Sequence, residues 1–177
     1  MIYFVRHGES EANIKGIFAG QRDDSPITQT GEQQARDTAK KILEENIQID
    51  TIISSPLKRA FETAKIIAEE IGFDTSKIKI DDRIIEYDMG DISGTPIKNI
   101  SSTILVSAKN TENANNFKKR VKNCIEELSL SSDNILLVSH AGVGRMLKVI
   151  RKNGEAKLFY DIPGYPNASI IKLDWIK

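Results

Sequence analysis

Short apolar runs alternate with longer amphipathic stretches along this chain of 177 residues. The runs predict strands at about 1–5, 50–54, 78–81, 134–139 and 168–173. Apolar positions with the 3.6-residue period of a helix predict helices at about 29–46, 57–72, 111–130 and 142–152. This alternation is typical of an α/β fold, a three-layer sandwich whose mostly parallel central sheet is covered on both faces. The length fits a single domain over residues 1–177.

Two local patterns refine this outline. Ser55-Pro56 predicts the start of the second helix, because serine is a good cap and proline suits the first helical position. The stretch from about 93 to 113 is polar, with one apolar patch at Ile104-Leu105-Val106. It predicts a surface excursion, which is either a cap over a site or an irregular connection without function.

Composition narrows the classes of function. Lys plus Arg and Asp plus Glu each number 25, so no excess charge favours binding to nucleic acid or to an acidic membrane. Few apolar residues precede Arg6, and no later run is long enough to span a bilayer, so no signal peptide or membrane helix is expected. The single cysteine, Cys124, lies on a helical apolar stripe and is expected in the core. No internal disulfide can form, which fits a reducing cytoplasm.

The chain contains two histidines, and each occupies the same kind of position. His7 follows Ile2-Tyr3-Phe4-Val5, and His140 follows a run that begins at Ile135; small residues come after both. Ends of parallel strands are where α/β folds place their chemistry, and histidine is well suited to act as nucleophile or proton carrier near neutral pH. The alternative is that each imidazole only forms a hydrogen bond at a strand end.

Cationic and polar side chains accompany the histidines. Arg6, Ser10 and Asn13 around the first histidine form a plausible cradle for an anion. Lys58 and Arg59 are predicted in the first turn of a helix, where the helix dipole disfavours cations unless an anion binds there. The alternative, that they point into water, is favoured for Lys58.

The remaining chemistry is limited. Glu86 follows the predicted third strand, where an isolated acid is most often a solvated loop residue. Metal-ligand spacings of the His-x-x-x-His or Cys-x-x-Cys type are absent, as is the glycine-rich Gly-Lys-Ser/Thr loop of nucleotide-binding proteins, so neither a metal nor a nucleotide cofactor is expected.

Taken together, these motifs resemble the histidine phosphatase superfamily, which has the phosphoglycerate mutase-like fold. The resemblance runs in order along nearly the whole chain, and the segments that carry it are Arg6-His7-Gly8-Glu9-Ser10 with Asn13, Ser54-Ser55-Pro56-Leu57 to Arg59, Glu86 to Gly94, Val138-Ser139-His140-Ala141-Gly142 and Asn167-Ala168-Ser169.

The resemblance implies a metal-independent, cofactor-free phosphatase that acts on a small phosphorylated substrate. It implies that His7 attacks phosphorus and becomes a phosphohistidine, and that Glu86 protonates the leaving oxygen and then activates water. It also implies that the oxygens of the phosphoryl group are bound by a larger set of residues: Arg6, Gly8, Ser10, Asn13, Arg59, His140 and the backbone near Ala141.

The match has departures. Ile92 and Ser93 stand where the phosphatase branch usually has an aromatic residue and an acid, and Thr111-Glu112-Asn113 stands where Gly-Glu-Ser is common. The segment between Gly94 and Thr111 is shorter than usual, which favours a phosphatase over a mutase that must exclude water. A phosphoglycerate mutase-type enzyme and an inactive phosphoryl-binding domain remain the alternatives. The sequence predicts the remaining pocket walls at Gln21, Arg22, Tyr87 and residues 93–113; it gives no indication of oligomeric state.

Overall fold

Five strands form one central sheet in the computed structural model, which describes residues 1–99 and 102–176. The strands are β1 (Ile2–Arg6), β2 (Thr51–Ser54), β3 (Lys79–Ile80), β4 (Ile135–Ser139) and β5 (Ile170–Lys172). Their spatial order is β3-β2-β4-β1-β5, and every pair is parallel except β1 with β5. The predicted α/β class with a mostly parallel sheet is confirmed.

Helices cover both faces of the sheet. They are α1 (Glu11–Lys15), α2 (Gln29–Glu44), α3 (Lys58–Glu70), α4 (Ser102–Ser107), α5 (Ala114–Ser129) and α6 (Ala141–Arg151). Short 3₁₀ turns occupy Thr75–Lys77, Asp82–Ile84, Gly90–Ile92, Ile97–Asn99 and Ala156–Tyr160. The four long helices agree with the predicted ones to within about three residues at each end, whereas α1 and α4 are too short to show a helical period.

The two layers outside the sheet differ in the size of their side chains. On one face, α2 and α3 present alanines such as Ala39 and Ala64, which let both helices lie close to Ile52 on β2. On the other face, α5 and α6 pack larger side chains, including Phe117, against the sheet. Cys124 is fully buried in this second core as predicted, and burial raises the pKa of its thiol to about 12.

The segment 93–113 returns to the first loop of the chain; its residues 100 and 101 lie outside the described part. Gly94 N–H donates to the Phe18 carbonyl, Phe18 N–H to the Thr95 carbonyl, and Ile97 N–H to the Gly16 carbonyl, at 2.8, 3.0 and 2.8 Å. These backbone bonds fix residues 94–97 beside the loop that follows α1.

Two further properties concern the described residues as a whole. Within residues 1–99 and 102–176, no helix combines the length and apolar character that a membrane span requires. The same residues contain no group of three or more His, Cys, Asp or Glu side chains arranged to hold a metal ion.

Candidate active site

The two histidines meet at the carboxyl edge of the sheet. β1 and β4 are adjacent and parallel, so the residues after them emerge side by side, and the two imidazole rings lie 5.3 Å apart. His7 borders a cavity of about 210 Å³, whereas the fully buried His140 does not reach its lining and is represented there by the next two residues, Ala141 and Gly142. Among the described residues, the charged and polar ones that line it are Arg6, His7, Ser10, Asn13, Arg59, Glu86 and Arg145.

His7 is held in one tautomer. Its Nδ1 lies 2.7 Å from the Gly8 carbonyl oxygen, which can only accept, so Nδ1 carries the proton and Nε2 carries the lone pair. Burial, together with the charges of Arg59 and Arg6, holds the pKa of His7 well below its ordinary value. The imidazole is therefore neutral at physiological pH, as a nucleophile must be.

Gly8 orients the histidine through its backbone. Its N–H donates to Thr63 Oγ1 at 3.0 Å, and its carbonyl accepts from His7, so the structure places it behind the imidazole and outside the cavity lining. A Cβ on Gly8 would lie 2.4 Å from the Gly31 carbonyl oxygen on α2. The backbone of the first loop therefore packs directly against α2, and this close approach requires glycine at position 8.

Arg6 and Arg59 bring two guanidinium groups to the cavity. Arg6 Nη1 donates to the Tyr165 carbonyl at 2.8 Å, while its Nε is buried without a hydrogen-bond partner. Arg59 is 1% exposed and donates to the carbonyls of Asp23 and Gly20, both at 2.8 Å. Burial lowers the pKa of both groups, and the charge of Glu86 acts in the opposite direction. A buried and a half-buried cation beside a neutral imidazole make the site attractive to an anion.

Ser10 and Asn13 form the capping box of α1. Ser10 Oγ accepts from Asn13 N–H at 3.4 Å, and Asn13 Oδ1 accepts from Ser10 N–H at 3.1 Å. Asn167 ties this turn to His7, since its Nδ2 donates to both Asn13 Oδ1 and the His7 carbonyl. Ser10 and Asn13 line the cavity, as the resemblance implies.

Glu86 faces the amino terminus of α6. Its Oε1 accepts from Tyr87 N–H at 2.8 Å and its Oε2 from Gly142 N–H at 3.1 Å. A Cβ on Gly142 would lie only 2.2 Å from Oε1, so the close approach of carboxylate and helix requires glycine. The acid is thus 8% exposed and belongs to the site; it is not a solvated loop residue.

His140 is the residue before α6 and is fully buried. Its Nε2 lies 2.6 Å from Ser55 Oγ, and its Nδ1 has no hydrogen-bond partner. Burial and the neighbouring charge of Arg59 hold its pKa well below the ordinary value. Ala141, the first residue of α6, lines the cavity beside it.

The start predicted for the second helix is wrong by about two residues. Leu57 is the N-cap of α3 and has no side-chain acceptor for a cap; the Ser55 hydroxyl oxygen accepts from Leu57 N–H at 3.4 Å and also pairs with His140. Asp24 caps the helix from outside through Lys58 N–H at 2.7 Å. The Lys58 side chain is exposed, as favoured, whereas Arg59 turns inward.

The predicted outer walls of the pocket need correction. Tyr87 is 1% exposed in the aromatic core, Arg22 pairs with Asp88 at 3.1 Å, and Gln21 donates to the Glu86 carbonyl. The described residues that form the outer wall are mostly apolar: Ile17, Phe18, Ala19, Gly20, Met89, Ile97 and Phe159. Of the described residues in the predicted segment 93–113, Ile97 alone lines the cavity.

Arg145 is the charged cavity residue that sequence reasoning missed. Its Nε is buried without a hydrogen-bond partner, and its charge lowers the pKa of Arg6. The signal was present in the sequence, since Arg145 stands four residues after Ala141 and so shares its helix face. A lone arginine on a helix is, however, usually a solvated residue.

Comparison with known proteins identifies the family. The family model described as histidine phosphatase superfamily, branch 1, matches residues 2–177. The chain belongs to this superfamily. The histidine phosphatase motifs of the sequence contribute nine residues to the lining of the cavity: Arg6, His7, Ser10, Asn13, Arg59, Glu86, Met89, Ala141 and Gly142.

Relatives with assigned names include both phosphatases and mutases. A protein assigned as phosphoserine phosphatase 2 of Hydrogenobacter thermophilus is 33% identical over 154 residues, which are 80% of this chain and 73% of that protein. A broad-specificity phosphatase of Saccharomyces cerevisiae is 28% identical over 82% of this chain and 67% of its own length. A 2,3-bisphosphoglycerate-dependent phosphoglycerate mutase of Thermoplasma acidophilum is 40% identical, but over 51% of this chain and 42% of the mutase.

Solved structures confirm the histidine phosphatase fold. Bacillus stearothermophilus YhfR superimposes with a TM-score of 0.80 at 24% identity, covering 98% of this chain and 91% of that one. A mycobacterial glucosyl-3-phosphoglycerate phosphatase bound to VO₃ gives a TM-score of 0.80 at 23% identity, covering 96% of this chain and 90% of that one.

Proposed function

We propose that this histidine phosphatase hydrolyses small phosphomonoesters, without a metal, through a phosphohistidine on His7. The observation that carries the proposal is the hydrogen bond from His7 Nδ1 to the Gly8 carbonyl, which leaves Nε2 as the nucleophilic atom. The neighbouring guanidinium groups supply the positive charge that a metal would otherwise provide. Each close charge contact is worth about 4 kcal/mol at an effective dielectric constant of 20.

The reaction divides into two displacements at phosphorus. The lone pair of His7 Nε2 attacks phosphorus, the ester P–O bond breaks, and protonated Glu86 gives its proton to the leaving oxygen. Water then attacks the phosphohistidine and gives a proton to Glu86, the P–N bond breaks, and the electron pair returns to Nε2. A covalent route suits an ester whose unaided hydrolysis is among the slowest known reactions.

The cavity also favours a class of substrate. Its volume of about 210 Å³ is smaller than most ligand pockets, which suits a small ester. The described lining carries three guanidinium groups against one carboxylate, and Arg145 is the cation without a hydrogen-bond partner. A substrate whose leaving group bears a second anion would pair with it. The relatives named as phosphatases support the phosphatase assignment, and phosphoserine is a substrate of this chemical kind.

A phosphoglycerate mutase is the second candidate, favoured by the identity shared with mutases over half of the chain. A mutase must return the phosphoryl group from histidine to an acceptor hydroxyl and keep water out. An inactive phosphoryl-binding domain is the third, motivated by Ile92 and Ser93. An inactive domain explains less of the site, because binding alone needs neither a nucleophile nor an acid, and both residues proposed for these roles, His7 and Glu86, line the cavity.

The deciding experiment is hydrolysis of p-nitrophenyl phosphate in excess chelator by wild type and His7→Ala. We expect phosphate release by the wild type and loss of at least about 10³-fold in the variant, whose melting temperature should change little because His7 lines a cavity. Lack of turnover by either protein, with mutase activity on 3-phosphoglycerate, would assign the second candidate. Lack of both activities would assign the third.

A further inference from the structure

Arg120 on α5 uses all of its hydrogen-bonding capacity. Its Nε and Nη2 donate to the two carboxylate oxygens of Glu112, at 2.7 and 2.9 Å. Its Nη1 donates to the carbonyls of Arg83 and Ile85, both at 2.7 Å, and Nη2 donates to the carbonyl of Glu86 at 3.0 Å. A guanidinium has five N–H groups, and all five are engaged here.

Three of these bonds end on the backbone that carries the acid. The carbonyls of Arg83, Ile85 and Glu86 converge on one planar group, which fixes the path of the chain as it enters the site. The Glu86 carboxylate accepts hydrogen bonds from Tyr87 N–H and Gly142 N–H. These bonds orient the carboxylate correctly only if the backbone of Glu86 is itself held in place. Arg120 itself does not line the cavity.

The anchor behind Arg120 is rigid. The side chains of Arg120 and Glu112 are 18% and 16% exposed, and the guanidinium lies 4.6 Å from the centre of the Phe117 ring. Phe117 and Val121, on the same helix, are fully buried in the second core. Tyr87 OH adds a bond to the Glu112 carbonyl, so both sides of Glu86 are tied to residues at the start of α5.

We infer that Arg120, held by Glu112, is a positioning residue that fixes the proton donor Glu86 at the leaving-group oxygen. This inference rests on the proposed function. Loss of such a residue misplaces a proton donor, and a misplaced donor matters most where the leaving group is a poor one. A merely structural residue would slow all substrates together.

The test compares substrates by leaving group. For Arg120→Met we expect kcat/KM to fall about 10- to 100-fold for an alkyl phosphate and less than about 3-fold for p-nitrophenyl phosphate, because a general acid contributes about 10²–10⁴-fold. Orthovanadate affinity should stay within about 2-fold, since Arg120 does not touch the phosphoryl site. For Arg120→Lys, kcat/KM for the alkyl phosphate should lie between the values of the wild type and Arg120→Met, because one ammonium group cannot reach all three carbonyls.

Arg83→Met is the matched control. Arg83 is a neighbouring arginine paired with two acids, Asp81 and Glu127, at 2.7 Å each, and its side chain touches no carbonyl of the acid-bearing segment. The Arg83→Met substitution should alter the stability of the protein and leave the dependence of kcat/KM on the leaving group unchanged. Glu112→Gln keeps the shape of the side chain that holds Arg120 but removes its charge. It should increase the dependence of kcat/KM on the leaving group, as expected for Arg120→Met. This variant tests the inference even if Arg120→Met does not fold.

Glu86→Gln separates the inference from the proposed function. If Glu86→Gln shows the leaving-group dependence and the Arg120 and Glu112 variants slow all substrates equally, Arg120 is only structural and the inference is overturned. If Glu86→Gln itself shows no such dependence, the assignment of Glu86 as proton donor fails, and the inference fails with it.

Discussion

The two ends of the cavity are built differently. At the end that the proposed function assigns to the phosphoryl group, called the phosphoryl end, His7 and Arg59 line the cavity and His140 lies beside His7; all three are nearly inaccessible and are attached to strand ends or to the first turn of a helix. At the end that the proposed function assigns to the leaving group, called the leaving-group end, apolar side chains such as Phe18 and Ile97 come from connections between the long elements, beside Arg145, whose buried Nε has no hydrogen-bond partner. In the proposed mechanism the reacting groups are thus positioned by the sheet, whereas the shape that would select a substrate depends on connections that can change without disturbing the sheet.

Glu86 lies at the junction of the two ends, and Gly142→Ala is the sharpest way to disturb it. The new Cβ would stand 2.2 Å from Glu86 Oε1, so the carboxylate must move. We expect kcat/KM for an alkyl phosphate to fall by about 10²-fold or more, since general acid catalysis contributes about 10²–10⁴-fold. Alanine is favoured over glycine in helices, so helix propensity would oppose any loss of stability.

Gly164→Ala is the matched control for that change. Gly164 also lines the cavity, but its added Cβ would find its nearest neighbours at 3.6 Å, which is ordinary contact. Activity should stay within about 3-fold of the wild type. A loss in Gly164→Ala as large as that in Gly142→Ala would mean that the cavity rejects any added methyl group, and the role given to Glu86 would lose its support.

The two ends of the cavity also differ in how far the sequence could predict them. The phosphoryl end was predictable because its residues stand in short motifs after apolar runs, and the sheet brings them together. Ser55 shows the limit of this reasoning: local sequence predicts that its hydroxyl caps the helix, but the hydroxyl bonds only the N-cap residue Leu57, and the pairing with His140 is a tertiary contact that local sequence does not show. Tyr87 was placed in the pocket wall and lies in the core, because local sequence does not show which side of a loop faces inward.

Acid sensitivity provides a second test, because both histidines of the chain lie at the phosphoryl end. Their folded pKa values lie well below 6.5, so below that pH the unfolded chain binds protons that the folded chain does not. The contribution of the two histidines to the free energy of unfolding is therefore fully present above about pH 6.5. As the pH is lowered below that value, this free energy decreases by up to about 1.4 kcal/mol per pH unit for each histidine.

The measurement is urea unfolding between pH 6.5 and 5.5 in phosphate-free buffer, for wild type and for the double variant His7→Gln, His140→Gln. The wild type should lose stability over this unit, while the double variant should be nearly flat, because carboxylates titrate mainly below it. Equal slopes in the two proteins would show that the imidazoles are not held neutral between these pH values, and the lowered pKa of His7 would be wrong.

Arg145→Gln tests the leaving-group end with the smallest expected effect. If Arg145 pairs with a second anion of the substrate, kcat/KM for O-phosphoserine or 3-phosphoglycerate should fall about 10-fold, the value of one charge-assisted hydrogen bond of about 1.4 kcal/mol. Glycerol 3-phosphate, whose leaving group is neutral, should change less than about 2-fold, and so should orthovanadate affinity. A loss of vanadate affinity would instead place Arg145 among the phosphoryl ligands beside Arg6, whose pKa its charge already lowers. The phosphoryl end would then extend onto the second turn of α6, and selection among substrates would depend on the apolar loops alone.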